Sequence, residues 1–399
     1  MRCTTHNEGE AVPLYDLTEF LKLSSALNYN LSATALNRYN VLMYIIDGKQ
    51  LHSDEVKDRK SKAIVMEALS FVFNAYGQKQ RRLGPLAVLH PLRATALLAR
   101  SLDRFDPIDL LTCLLHDVLE DISPVDYQSP KWKELEQQIF SLMAQIPAQD
   151  ERNLMDRLVS LTRLENESYY HYIGRILEHS KDTFRLIQVK LADRLDNTLD
   201  MYVELRDPLE GVDFFQIIFQ ILFLNNYQGF IPSLKHPPSS AINGAKRLYQ
   251  LFKNAVLLSL IRQKIMLTED TTSQNLFDAV CQASLKEAQR TLIHLIGFHF
   301  QDVAKQRELI LEAMVYCYSG RSDLITLPDE KKMLDGLFSS YFGSTSTAIR
   351  NQKLDALYQN KPLMIQASIG FMVIFLSFMN DSRFYVKGIS ADGIAAQKP

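Results

Sequence analysis

Three features of the sequence predict an all-α protein. Apolar residues recur at three- and four-residue spacing over 64–73, 92–102, 110–119, 172–177 and 186–199, which is the period of one buried helix face. Glycine is scarce, at 15 of 399 residues. Asn-Gly or Asp-Gly pairs between alternating apolar runs, the mark of β-hairpins, are lacking. Asp47-Gly48 is followed by polar residues and predicts a helix stop.

The helices group into three blocks. Residues 1–56 read as an N-terminal helical extension with a polar exit at 48–59. Residues 57–232 carry every motif discussed below. The stretch 232–240, with its paired prolines, is the clearest linker, because proline cannot continue a helix. Beyond it, 241–399 reads as a second helical block with a frayed tail after Gly388.

Composition limits the functions open to the chain. Apolar residues make up 47% and charged residues 23%, as in a soluble globular protein of two or three domains. A formal net charge of -2 supplies no basic field for a nucleic-acid polymer. Cys3, Cys113, Cys281 and Cys317 form no Cys-x-x-Cys pair and read as free thiols in a reducing compartment. The first ten residues are polar and do not resemble a secretory signal, so cytoplasm is the expected location. The apolar run 363–379 spans 17 residues, short of the roughly 20 that a membrane span needs. It is expected to be a buried helix, with a membrane contact as the minority reading.

The chemistry concentrates in Leu114-Leu115-His116-Asp117-Val118-Leu119-Glu120-Asp121. On a continuous helix His116 and Glu120 stack on one face, and Asp117 and Asp121 on another, while Leu110, Leu111, Leu114, Leu115, Val118 and Leu119 supply the buried side. Carboxylates beside a core face are costly unless paired, and a divalent cation is a fitting partner. His90 closes the apolar run Leu86-Ala87-Val88-Leu89, and Pro91 follows where a helix can open. Asp193 lies on the strongly periodic run 186–199. His90, His116, Asp117 and Asp193 together make a mixed nitrogen–oxygen set that suits Mn²⁺, Fe²⁺ or Zn²⁺ better than Ca²⁺. His171, His179, His294 and His299 read as surface or packing residues.

With these residues in hand, the sequence resembles the hydrolase domain of the RelA/SpoT family and the small alarmone hydrolases, over about residues 60–205. The resemblance rests on Arg81-Arg82-Leu83-Gly84, His90-Pro91-Leu92, the run from Leu115 to Asp121, Leu158-Val159-Ser160-Leu161-Thr162-Arg163, and Lys190-Leu191-Ala192-Asp193-Arg194-Leu195-Asp196-Asn197. It implies an all-helical HD-domain bundle that binds Mn²⁺ and removes the 3′-pyrophosphate of guanosine tetra- or pentaphosphate. By position, His90, His116, Asp117 and Asp193 match the metal ligands. Glu120 and Asp121 match the pair that orients or deprotonates the attacking water. Arg81 and Arg82 match the residues that meet the base and its phosphates, and Asn197 matches a nucleoside contact.

Two stretches depart from the family pattern. Gly84-Pro85-Leu86-Ala87 stands where the family has Gly-Glu-Pro-Tyr, and Asp196, Leu199 and Asp200 replace a His, an Arg and a Thr. Asp200 is expected to add negative charge near the pyrophosphate. An HD phosphohydrolase of another nucleotide, or a nucleotide-sensing regulatory protein, is therefore an alternative reading. No synthetase signature follows in 241–399, which is a candidate for regulation, for homo-oligomer contacts or for a lid.

Overall fold

The structure, a computed structural model, describes residues 17–29, 35–77, 79, 86–102, 106–164, 167, 169–183, 185–200, 244–263 and 271–319, with scattered residues between 346 and 372 and two short strands. Among them the fold is an α-helical bundle. The strands, β1 (Ile389–Ser390) and β2 (Gly393–Ile394), form one small antiparallel pair. The linker at 232–240 lies outside the described residues.

Two helices precede the motifs, α1 (Leu17–Tyr29) and α2 (Ala35–Ile45). Asp47 and Gly48 then take positive φ of 55° and 69°, and the Gly48 N–H donates back to the Met43 carbonyl at 3.0 Å. This left-handed ending is a helix stop, as read from the sequence. Next comes α3 (Glu55–Tyr76), capped by the Asp54 carboxylate, which accepts from the N–H groups of Val56 and Lys57. The polar exit is partly interior: Asp58 is buried and accepts from the Leu51 N–H at 2.6 Å.

The central helices are α4 (Leu89–Ser101), α5 (Pro107–Leu115) and the single turn α6 (Val118–Asp121). They are followed by α7 (Ser129–Met143), α8 (Ala148–Leu161), α9 (Tyr169–His179) and α10 (Leu186–Leu199). Helix α5 opens on a reciprocal cap, in which Asp106 and Asp109 each accept from the other's end of the first turn, with Pro107 at the first helical position.

After residue 244 come α11 (Gly244–Gln263), α12 (Thr271–His299) and α13 (Val303–Ser319). Helix α10 packs most extensively on α12 and α4, and α11 lies on α9 and α12. One hydrophobic core runs from Leu23 through Leu97, Leu114 and Leu195 to Leu257 and Leu295. The helices after 244 thus share their core with the motif-bearing helices. A buried polar knot pins this contact: Arg194 Nε donates to Asn254 Oδ1 at 2.8 Å, and Asn254 Nδ2 reaches Thr198 Oγ1 at 2.7 Å and Ser284 Oγ at 2.8 Å. In 363–379 the described residues 365–370 and 372 are helical, with Ile365, Ala367, Ile369 and Met372 buried. Among the described residues no helix is long and apolar enough to cross a membrane.

The expectation of one continuous helix through 110–121 is corrected. Helix α5 ends at Leu115, His116 is its C-cap, and Asp117 starts a new turn at φ -97°, ψ -3°. The His116–Glu120 stack is therefore lost. The Asp121 N–H still donates to the Asp117 carbonyl at 2.8 Å, so that second pair keeps one turn of helical spacing. The break also swings Leu119 out of the core to 48% exposure.

Candidate metal centre

Two helix ends and the middle of a third helix meet around His90, His116 and Asp193. His90 sits in the first turn of α4, His116 caps α5, and Asp193 projects from the middle of α10. All three are buried, and one donor atom from each lies within 4.8 Å of the other two. The two imidazoles stand edge to face, with centroids 5.2 Å apart. His90 Nε2 is 3.3 Å from Asp193 Oδ1 and 3.2 Å from Asp117 Oδ2, and His116 Nε2 is 3.2 Å from Asp117 Oδ1. Asp117, at the kink between α5 and α6, therefore touches both imidazoles.

The far nitrogen of each ring is already committed. His90 Nδ1 lies 2.6 Å from Asp196 Oδ2, and His116 Nδ1 lies 2.7 Å from the Cys113 carbonyl. Both partners can only accept, so each Nδ1 carries the proton and each Nε2 turns a lone pair to the centre. His116 Nε2 is buried and makes no hydrogen bond there. A buried, unbonded imidazole nitrogen facing two carboxylates is what a divalent cation would satisfy, and the His/Asp donor set fits one. Burial pushes the neighbouring Cys113 thiol up to about 12, so it stays protonated and outside that set.

Charge at the centre follows from the same contacts. Burial disfavours the Asp193 carboxylate, but Lys190, His116 and His90 outweigh it and hold the group well below the usual carboxylate range. Lys190 Nζ lies 2.7 Å from Asp193 Oδ2, and Asn197 Nδ2 donates to Asp193 Oδ1 at 2.5 Å. Burial opposes charge on His116, and the fields of Asp117 and Asp193 overcome it and raise its pKa well above the ordinary value. A positive charge is thus favoured at that nitrogen, where a proton and a metal ion compete.

Behind His90 lies an ion network that the sequence reading did not find. Asp196 is fully buried, and Arg93 Nε donates to its Oδ1 at 2.6 Å. The same guanidinium lies 2.8 Å from Asp200 Oδ2 and 3.1 Å from Ser24 Oγ, and stacks over the Phe20 ring at 4.9 Å. The N-terminal helix α1 is therefore linked to His90 through two residues, Arg93 and Asp196. Asp200, expected to add negative charge near the pyrophosphate, is paired with Arg93, which it shares with Asp196. The three- and four-residue spacings 90–93, 93–97 and 193–196–200 put these groups on inward helix faces, which is the signal that could have found them.

Glu120 and Asp121 lie at the rim. Glu120 Oε1 accepts from the Arg163 N–H at 2.6 Å, and Asp121 Oδ2 accepts from the Tyr76 hydroxyl at 3.1 Å. Each keeps an exposed edge, yet loss of water contact and the nearby Asp117 charge raise both pKa values. Asn197 rests on Asp193, as described. Arg81 and Arg82 lie outside the described residues. Among the other histidines, His171 pairs with Glu167 at 3.2 Å on the surface, and His179 bonds Ser160 at 3.0 Å.

No family model matches the chain. The chain is 26% identical over 141 residues to a guanosine-3′,5′-bis(diphosphate) 3′-pyrophosphohydrolase of Aquifex aeolicus (strain VF5). The match covers 35% of this chain and 18% of that relative's own length, so it marks a distant, partial relation to a hydrolase.

Proposed function

We propose that the chain is a metal-dependent phosphohydrolase of the HD type that removes the 3′-pyrophosphate from guanosine tetra- or pentaphosphate-like nucleotides. The observation that carries this reading is the meeting of His90, His116 and Asp193, with both outer imidazole nitrogens engaged and both inner ones directed at carboxylates. The 3′-pyrophosphohydrolase activity of the partial relative supports the substrate class. In this reading Asp117 is the fourth ligand and Mn²⁺ the resident ion. The ion supplies Lewis acidity and a readily deprotonated water.

The protein's own groups do the rest. Asp196 keeps the His90 proton on Nδ1, and the Cys113 carbonyl does the same for His116. Asn197 and Lys190 fix the two oxygens of Asp193 separately. Glu120 and Asp121, with raised pKa values at the open edge, are suited to take a proton from the attacking water and return it to the leaving oxygen. Arg81, Arg82 and Asn197 are assigned to the nucleotide on the resemblance alone. The same reading takes 57–232 as the hydrolase unit, flanked by helical additions at 1–56 and 241–399, acting on a nucleotide in the cytoplasm.

The test is product analysis on purified protein with Mn²⁺ and a panel of guanosine and adenosine 3′-pyrophosphate nucleotides, NTPs and dNTPs. Release of pyrophosphate from the 3′-pyrophosphate nucleotides alone, absent in Asp193→Ala, is the expected result. Turnover of other nucleotides instead would discard the substrate, and no turnover across the panel with metal bound would discard the enzyme.

A further inference from the structure

Helix α8 ends beside Glu120, and its closing carbonyls are taken up by side chains of α9. A helix leaves its last carbonyls without partners of its own, so donors must come from outside it. Arg175 Nη1 donates to the Ser160 carbonyl at 3.1 Å, and the Tyr172 hydroxyl donates to the Leu161 carbonyl. Arg175 Nη2 then donates to the Thr162 carbonyl at 2.8 Å. Tyr172 and Arg175 are three apart on α9 and so share one face. The guanidinium is held in turn by Glu167, whose Oε1 and Oε2 accept from Nε and Nη2, each at 2.9 Å. Glu167 is buried and also accepts from the Leu164 N–H at 3.0 Å. Its own carbonyl accepts from Arg163 Nε and Nη2 at 2.9 and 2.7 Å, which closes the loop after α8 on itself.

The bond to Thr162 matters most, because that carbonyl and the Arg163 N–H belong to one peptide unit. A trans peptide is planar, with its C=O and N–H pointing to opposite sides, and among the described residues no peptide bond is cis. Holding the carbonyl on Arg175 therefore aims the N–H the other way, where it meets Glu120 Oε1 at 2.6 Å. Glu120 stands on the single turn α6 with an exposed side chain, which has several rotamers open to it. A donor fixed in place selects one of them. The four bonds of Arg175 use all three nitrogens of a planar fork, and a lysine ammonium, a point charge, cannot reproduce them.

We propose that Arg175 is a positioning residue for Glu120, acting through the Thr162–Arg163 peptide, with Glu167 as the counter-charge that keeps its guanidinium in place. The end of the stretch Leu158–Arg163 thereby has a task, which is to present a backbone donor to the carboxylate at the open edge of the centre. The relay from Arg175 to Glu120 rests on its own geometry. That the oriented carboxylate handles a proton of the attacking water rests on the proposed hydrolase reading.

The first test needs no substrate. Hydrogen exchange of the Arg163 amide, followed by NMR on the full chain, should be slow in wild type. Arg175→Lys keeps a cation against Glu167 but loses the fork, and the Arg163 amide should then exchange about ten-fold faster, as it should in Glu120→Ala. The Leu158 amide, inside α8, should keep its wild-type rate in both. Glu167→Gln, which loosens the guanidinium without removing it, is the second variant, and the same two results are expected. A wild-type rate at Arg163 in the Arg175 and Glu167 variants would overturn the proposal. Faster exchange at both amides would overturn it too, since Arg175 would then only close the end of α8. Where the nucleotide is hydrolysed, Arg175→Lys should lower kcat by about 10- to 100-fold, with KM and Mn²⁺ affinity as in wild type. In a Glu120→Gln background the same change should cost nothing further, because the two residues act as one unit. Additive losses would overturn the relay. No turnover by wild type would remove the hydrolase reading, and amide exchange alone would then decide whether Arg175 positions Glu120.

Discussion

The two flanks of the candidate metal centre differ in how their charges are matched. Behind His90, Arg93 meets two carboxylates, Asp196 and Asp200, and also reaches Ser24 and stacks over Phe20. Behind Asp193, Lys190 lies against one of its oxygens, and the Tyr169 hydroxyl is buried without a hydrogen bond. The first flank is an interior ion network, and its removal should cost stability and ligand geometry. On the second, burial and the charges of Arg194 and Lys190 push the Lys253 ammonium down to about 7, so removing that charge should relieve the fold.

The largest expected effect lies between the flanks. Asp193→Ala removes the carboxylate on which both depend, and metal binding and turnover should be abolished. Metal titration followed by the pyrophosphate assay checks this, and an active variant would sink the assignment of the centre. Glu120→Gln should keep the metal and lower kcat by about 10²- to 10⁴-fold, the usual worth of a general acid or base. Retention of full kcat would confine Glu120 to its contact with the Arg163 N–H.

On the paired flank, Arg93→Met should leave Asp196 buried with its charge opposed only by His90. Breaking one side of such a pair costs about 3–5 kcal/mol. Urea unfolding reads this directly, and a midpoint equal to wild type would mean that water replaces the guanidinium. Asp196→Asn should be gentler on the fold, because an amide oxygen can still accept from His90 Nδ1. Loss of the supporting carboxylate should weaken Mn²⁺ about 10- to 100-fold, as for other outer-sphere partners of a metal-binding histidine. An unchanged affinity would separate His90 from the network behind it.

These contrasts also mark how far the sequence could be read. The helices were legible because period 3.6 is written by the residues themselves, and 186–199 coincides with α10. His90, His116 and Asp193 were legible as a set because ionisable side chains break otherwise apolar faces. The kink at His116–Asp117 was not, since Val118 and Leu119 continue the apolar pattern across the break. The pairing of Asp200 was not legible because its partner, Arg93, lies 107 residues away in the chain and across a helix interface. The placement of Lys253 over the Tyr169 ring is likewise tertiary, since it arises only where α11 packs against α9.

The smallest expected effect is a pH dependence that reports on Lys253 alone. The Lys253 pKa is about 7 in the folded chain, against 10.5 for the free side chain. Below pH 7 both states hold the proton, and the full repulsion is present in the folded form. Between about 7 and 10.5 the unfolded chain binds more protons than the native one, so stability rises with pH. Lys253→Met removes this rise and should therefore gain most over wild type at pH 6 and least at pH 9, read as the difference in melting temperature. A difference independent of pH would mean that Lys253 keeps its ordinary pKa and that the charges around it are screened. If the difference instead closes as pH rises, the depressed pKa is real, and burial with the charges of Arg194 and Lys190 sets it in the folded protein.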